Sequence, residues 1–343
     1  MAKIKSAYVC TECGAEHSQW QGQCQSCHAW NTLKEFKLSS AKKTSATGTR
    51  GYAGTTENKI QSINDVDLSV VPRIQSGMSE LDRVLGGGIV PGSVVLIGGD
   101  PGVGKSSILL QVMCYLSTQQ KVLYVTGEES LQQVAQRAKR MQLPDEELRL
   151  FTETDVERIT HAAENEKPKV MVIDSIQTMQ LAEVSGGAGG VSQVRESAAY
   201  LTRYAKQNNV AIFLVGHVTK SGEVAGPRVL EHIVDTVVFL EGQSDSRFRT
   251  LRAIKNRFGA VNELGVFAMT EKGMKQIKNP SAIFLSRGED AAPGSVVMVI
   301  WEGSRPLLVE IQALVDDPPY GAPKRVTVGL DQNRMAMLLA VMH

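Results

Sequence analysis

From Val94 onward, short apolar runs alternate with helical patterns. The strand-like runs are Val94–Ile97, Val122–Val125, Leu148–Phe151, Val170–Ile173, Ala211–Val215, Thr236–Leu240 and Arg249–Ile254. Helical spacing covers Gly104 to about Ser117 and Leu131 to Arg140. Short runs of this kind, four or five residues long where unbroken, suit buried strands, and helices between them suit crossover connections. The pattern predicts an α/β fold: a mostly parallel sheet with helices on both faces.

The flanks differ from this core. Cys10, Cys13, Cys24 and Cys27 form two CxxC knuckles separated by ten residues. Two knuckles bring four thiolates to one point, which is the ligand set of a closed, structural zinc site. Metal binding then supplies most of the folding free energy of so small a segment. His17 and His28 are expected bystanders, because four thiolates complete the shell. Residues 38–60 are rich in Ser, Thr, Gly and Lys and read as a flexible linker. After Asn279 and Pro280 the composition shifts, and strand-like runs at Val296–Trp301 and Leu307–Val315 start a further, α+β, domain. The sequence stops at His343 directly after the apolar run Met335–Met342, so that domain is expected to be truncated. The expected division is 1–37 zinc-binding, 38–60 linker, 61–279 α/β core and 280–343 C-terminal domain.

Composition narrows the class. Of 343 residues, 42% are hydrophobic and 21% charged, ordinary globular values that argue against a disordered or fibrous chain. The longest apolar run, eight residues, is far short of the roughly 20 that span a bilayer, and the start lacks a signal-peptide core. No membrane association and a cytoplasmic, reducing location are expected. Net charge is +1, but residues 1–60 carry seven Lys and one Arg against four Glu. Polyanion contacts in the core must therefore come from local clusters.

The segment GGDPGVGKSS fits GxxxxGK[ST] between a strand and a helix. Gly99, Asp100, Pro101, Gly102, Val103, Gly104, Lys105, Ser106 and Ser107 are thus the expected nucleotide-binding loop. Backbone N–H groups close around the phosphates, Lys105 reaches the terminal ones, and the Ser106 hydroxyl suits Mg²⁺. Asp174 ends the apolar strand VMVID, where a carboxylate emerges beside the phosphates to hold Mg²⁺ through water. The strand before YVTGEES carries Glu128 and Glu129 to the same carboxyl edge. One of them can orient and deprotonate an attacking water; Glu128 is preferred and Glu129 is the alternative.

This P-loop, the GEES turn, the strand-end aspartate, GMSELDRVLGGGIVPGS (residues 77–93) and KNRFG (255–259) together resemble the RecA-type ATPase core. With the four-cysteine motif in front, the ordered set resembles the RadA (Sms) family of bacterial DNA repair ATPases over essentially the whole chain. The family's last domain is similar to the Lon protease domain, which residues from about Ser281 resemble at its beginning. The resemblance implies ATP, Mg²⁺ and Zn²⁺ as cofactors and a homo-oligomer, a hexameric ring, with ATP between neighbours. It implies that Lys255 and Arg257 act on a neighbour's γ-phosphate or contact DNA. It also implies that the loop 184–197 and the loop 217–228, with Lys220 and Arg228, face a channel holding DNA by its backbone. His217 resembles the polar sensor between ATP and DNA; a core histidine is the alternative. The implied partners are single-stranded and branched DNA and the RecA recombinase. The implied activity is a DNA-dependent, helicase-like ATPase motor for branch migration in recombinational repair. Two other readings stay open: an ATP-dependent protein-remodelling or protease-like machine, and a RecA-like signalling ATPase.

Overall fold

In the computed structural model, structure is described for residues 6–10, 16–17, 19–37, 62, 72–217, 230–242, 246–285, 293–317 and 324–342. Cys13, Lys220, Arg228 and the expected linker at 38–60 lie outside them. The chain divides into two units, Met1–Pro280 with Trp301–Arg305, and Ser281–Ile300 with Pro306–His343.

The first unit opens with a small antiparallel sheet in the order β2-β1-β3, made of β1 (Ser6–Cys10), β2 (Glu16–His17) and β3 (Leu33–Lys37). Pairing of Tyr8 with His17 and of Cys10 with Leu33 brings the cysteine-bearing segments together.

A nine-stranded sheet dominates the unit, in the order β12-β11-β10-β9-β4-β8-β7-β5-β6. Its parallel part comprises β4 (Val94–Gly98), β5 (Val122–Thr126), β6 (Arg149–Thr152), β7 (Val170–Asp174), β8 (Ala211–Val215) and β9 (Thr236–Glu241). The antiparallel strands β10 (Phe248–Asn256), β11 (Leu264–Thr270) and β12 (Gly273–Gln276) extend one side. Every residue of β4, β5, β7 and β8 is buried, which explains why these strands read as unbroken apolar runs.

Successive strand residues feed opposite layers. Val95, Ile97, Val122, Tyr124, Val172 and Phe213 pack against α1 (Ser79–Val84), α2 (Lys105–Ser117) and α3 (Leu131–Arg140). Leu96, Leu123, Val125, Met171, Ile173 and Leu214 pack on the other side against α4 (Val156–Glu166) and α5 (Val191–Asn208). Helix starts follow local chemistry. Ser130 and Gln133 form a reciprocal capping box on α3, and the Asp155 carboxylate accepts from the Glu157 and Arg158 N–H groups at α4.

Two differences from the sequence reading concern the segment before α5. The expected loop 184–197 ends at Gly190, because Val194, Ala198, Leu201 and Ala205 form a buried helical stripe from Val191 onward. Nor is its start loose: the buried Gln193 amide accepts from Leu181 N and donates to the carbonyls of Leu181, Val184 and Gly186.

Ahead of the sheet, the Arg73 guanidinium donates to the carbonyls of Leu85, Gly86 and Phe258. It thereby joins the turn after α1 to the KNRFG segment.

The second unit holds most of the two-stranded sheet of β13 (Ser295–Glu302) and β14 (Arg305–Gln312), with helices α6 (Ser281–Phe284) and α7 (Gln332–Met342). Val296, Val297 and Val299 on β13 are exposed. No helix among the described residues is long and apolar enough to cross a membrane.

Phe213 is fully buried on β8. Phe213→Ala is expected to lower the unfolding free energy by about 3–5 kcal/mol, through lost burial and the cavity left behind. Chemical denaturation of the purified protein measures this directly.

Candidate active site and metal centre

The nucleotide loop follows β4 and runs into α2. A side chain at Gly99, whose φ is +147°, would put its Cβ 2.3 Å from the Leu240 carbonyl oxygen. At Gly104, with φ +110°, a Cβ would meet the Met274 methyl at 2.4 Å. These two positions therefore require glycine, whereas nothing lies within 4 Å of a Cβ built on Gly102. The loop's backbone is thus tightly seated on the protein side and open at Gly102, which fits a phosphate cradle.

Lys105, at the first turn of α2, is buried. Its ammonium donates to the carbonyls of Gly99 at 2.7 Å and Asp100 at 3.0 Å. Burial lowers its pKa, opposed by the charges of Asp174, Glu128 and Asp100. Those three carboxylates favour the charged lysine against its burial, while the loop's own carbonyls hold its ammonium.

Parallel pairing of Thr126 with Asp174 places the ends of β5 and β7 side by side. Asp174 is 5% exposed, and its Oδ2 accepts the Tyr124 hydroxyl at 2.6 Å. Burial, then the Asp174 charge, pushes the Tyr124 phenol well above its ordinary value, so Tyr124 remains a donor. The sequence reading missed this partner; its one signal was a hydroxyl-bearing ring inside the apolar run VLYVT, where a buried phenol needs an acceptor. The Ser106 hydroxyl, in the first turn of α2, and the Asp174 carboxylate, at the end of β7, are hard oxygen donors of the kind that would suit Mg²⁺.

Glu128 and Glu129 separate cleanly. Glu128 accepts from the Ser175 hydroxyl, and its Oε1 lies 3.1 Å from His217 Nε2. Its pKa is lowered, first by the hydrogen bond with His217 and further by Ser175 and by the charges of His217 and Lys105, against the opposing effect of burial. Glu129 turns away to an ion pair with Arg137 of α3, and its backbone N–H bonds the Thr126 hydroxyl. His217 follows β8, and its carbonyl accepts from Gln177 Nε2 at 3.2 Å.

Lys255 and Arg257 lie elsewhere. Lys255 pairs with Val237 and Asn256 with Thr236, the first residue of β9, while the nucleotide loop meets β9 near Leu240. Four strand residues separate the two ends, about 13 Å at the usual rise per residue. The Lys255 ammonium donates to the carbonyls of Glu231 and Val234, and Arg257 pairs with Asp235 at 3.0 Å. Both cations thus sit at the amino edge of the parallel sheet, opposite their own nucleotide loop.

In the N-terminal sheet, the sulfur atoms of Cys10, Cys24 and Cys27 lie within 4.8 Å of one another. Cys10 Sγ is 3.6 Å from Cys27 Sγ. Such convergence of thiols fits zinc; the fourth expected ligand, Cys13, is outside the described residues. His17 Nε2 lies 3.5 Å from Cys24 Sγ, so it supports the cluster's edge rather than standing apart.

A strand, a GxxxxGK[ST] loop and a helix at the centre of this sheet, with a buried aspartate ending a nearby parallel strand, define a P-loop ATPase. Residues 61–223 match the AAA domain family, and residues 8–35 match the Rubredoxin metal binding domain family. The DNA repair protein RadA of Haemophilus influenzae is 61% identical over all of this chain and 75% of that protein. RadA of Escherichia coli is 60% identical and RadA of Bacillus subtilis 46% identical, at the same coverage. Among solved structures, the RadB recombinase is 21% identical, with a TM-score of 0.47, covering 60% of this chain and 99% of that one. The chain belongs to the DNA repair protein RadA family. It is an ATP-hydrolysing P-loop protein with a zinc ribbon.

Metal analysis of the purified protein is expected to give one zinc per chain. Cys24→Ser is expected to abolish that stoichiometry while the nucleotide-binding core keeps its cooperative thermal transition. Retention of full zinc in the variant would remove Cys24 from the ligand set.

Proposed function

We propose that this chain is a DNA-stimulated ATPase that assembles into a ring, hexameric in the simplest case, and moves along single-stranded or branched DNA during recombinational repair. The observation that carries this reading is the split of catalytic groups between two edges of one sheet. Lys105, Asp174 and Glu128 gather at the carboxyl edge, while Lys255 and Arg257 stand at the amino edge. Neither cation can reach its own chain's nucleotide from there, whereas a neighbour stacked edge to edge presents them to it.

In this reading Gly99 through Ser107 cradle ATP, and Lys105 leaves its two loop carbonyls for the terminal phosphates. Ser106 and Asp174 would hold Mg²⁺, which would supply charge neutralisation to the phosphates. Glu128 takes a proton from the attacking water, which adds to the γ-phosphorus as ADP leaves. Tyr124 fixes the Asp174 carboxylate, and Ser175 and His217 aim Glu128. Lys255 and Arg257 stabilise negative charge on the neighbour's γ-phosphate in the transition state. His217 stands at the start of the segment carrying Lys220 and Arg228, which we assign to the DNA backbone together with the turn before α5. Phosphate contact of this kind reads no sequence. The RecA recombinase is the proposed protein partner, the zinc ribbon its docking element, and the cytoplasm the place of action. The proposed division remains 1–37, 38–60, 61–279 and 280–343.

Steady-state ATP turnover with and without single-stranded DNA tests the reading. DNA is expected to raise kcat, and Lys105→Ala to abolish turnover in both conditions. An oligomeric, zinc-loaded sample indifferent to DNA would overturn the motor assignment in favour of protein remodelling. Glu128→Gln is expected to cut kcat by about 10²–10⁴-fold with ATP binding retained, the range for losing a general base.

The pH profile follows from the Glu128 environment. The base works ionised, and its pKa is lowered, so activity persists as pH falls until that depressed value is crossed. The acid limb of kcat/KM is therefore expected below the ordinary carboxylate range. His217→Ala, which removes the largest cause of the lowering, is expected to move that limb upward.

A further inference from the structure

The amino edge of the sheet contains a buried carboxylate that the assignment above leaves unused. Asp235, immediately before β9, is 1% exposed. Its Oδ1 accepts from Lys206 Nζ and from Arg257 Nη1, each at 3.0 Å, and its Oδ2 accepts from Val94 N at 3.1 Å. Its main chain is engaged too: its N–H donates to the Val94 carbonyl, and its own carbonyl accepts from Arg257 N. One residue therefore ties the first residue of β4, the last turn of α5 and the exit of β10.

The two cations on Oδ1 differ. Lys206 is 21% exposed and Arg257 50% exposed, so Arg257 is the one that can swing outward. A buried carboxylate stripped of its only cation is costly, because nothing then replaces its lost hydration. Here Lys206 stays on the same oxygen when Arg257 leaves. Lys255 adds a third positive group nearby: burial and then the Arg257 charge lower its pKa, while Asp235 opposes them.

Resting on the trans-acting role proposed for Arg257, we propose that Asp235 is the positioning residue of that finger, holding its guanidinium at the sheet edge, with Lys206 as the counter-ion that permits its release onto a neighbour's phosphate. Asp235 touches no substrate; it acts through Arg257. Loss of the carboxylate therefore damages the site on the neighbouring subunit and spares the nucleotide loop of its own chain. A purely structural Asp235 would do the reverse, because its Val94 bond supports the strand that leads into that loop.

The test uses the full chain and co-expressed pairs of variants. Asp235→Asn alone is expected to lower kcat at least tenfold, with ATP affinity within about twofold of the parent. Co-expression with Lys105→Ala is expected to restore turnover, because the intact finger of the Lys105→Ala subunit then faces the intact loop of the Asp235→Asn subunit. Arg257→Ala with Lys105→Ala is the reference pair. If that pair recovers and the Asp235→Asn pair does not, or if Asp235→Asn loses ATP affinity in place of kcat, the positioning role is overturned while the trans finger stands. If the reference pair stays inactive, the trans finger itself fails, and this proposal fails with it. Should Asp235→Asn not fold, Lys206→Met takes its place. With Arg257 as the sole counter-ion, that variant is expected to lose kcat and to be complemented by Lys105→Ala; unchanged kcat would overturn the proposal.

Discussion

The parallel register at the centre of the large sheet decides where every chemical group of the ATP site stands. Thr126 lies beside Asp174, and Ile97 lies beside Val215, so the ends of β4, β5, β7 and β8 come level at one edge. A slip of one residue would turn each strand over, exchanging the residues that face α2 with those that face α5. Both layers are closely packed with aliphatic side chains, so neither face has room for the exchange. The apolar core thus acts as the ruler against which Lys105, Asp174 and Glu128 are aligned.

The same sheet separates charge along its strands. Its carboxyl edge collects one buried lysine among carboxylates, and its amino edge collects three cations around one buried aspartate. In the proposed function each edge is incomplete as a phosphoryl-transfer site: the first would supply the nucleophile's base and the phosphate cradle, the second the cations. On the proposed reading, assembly is a condition of the chemistry, because only contact between unlike edges completes a site.

Much of this was legible in the sequence, and for a physical reason. Strands buried on both faces appear as unbroken apolar runs, so β4, β5, β7 and β8 were placed within a residue of their observed ends. The loop between β4 and α2 was legible because its glycines hold positive-φ backbone that other residues rarely adopt. Other features hid behind ordinary residues. α4 has a helix start that depends on a single aspartate cap, and α5 begins at Val191 with a largely polar stretch directly after a glycine run, so residues 191–197 carry a loop-like signal. β12 is short and lies at the sheet's edge, with little apolar signal. The Tyr124–Asp174 and His217–Glu128 contacts join residues 50 and 89 positions apart, a relation that spacing along a chain does not reveal. The different surroundings of Glu128 and Glu129 likewise depend on Arg137, whose position on α3 claims the second glutamate.

The Arg73 clamp bears on where the catalytic core physically begins. A boundary drawn from the sheet alone would start near Val94, with the first strand of the nucleotide site. Arg73 lies 21 residues earlier, yet it holds carbonyls from the turn after α1 and from Phe258, 185 positions later in the chain. A shortened protein lacking it would leave those carbonyls to water beside the very segment that carries Lys255 and Arg257. The smallest self-sufficient ATPase fragment is therefore set by a guanidinium outside the sheet, and dissection of the chain into independently produced parts has to cut ahead of it.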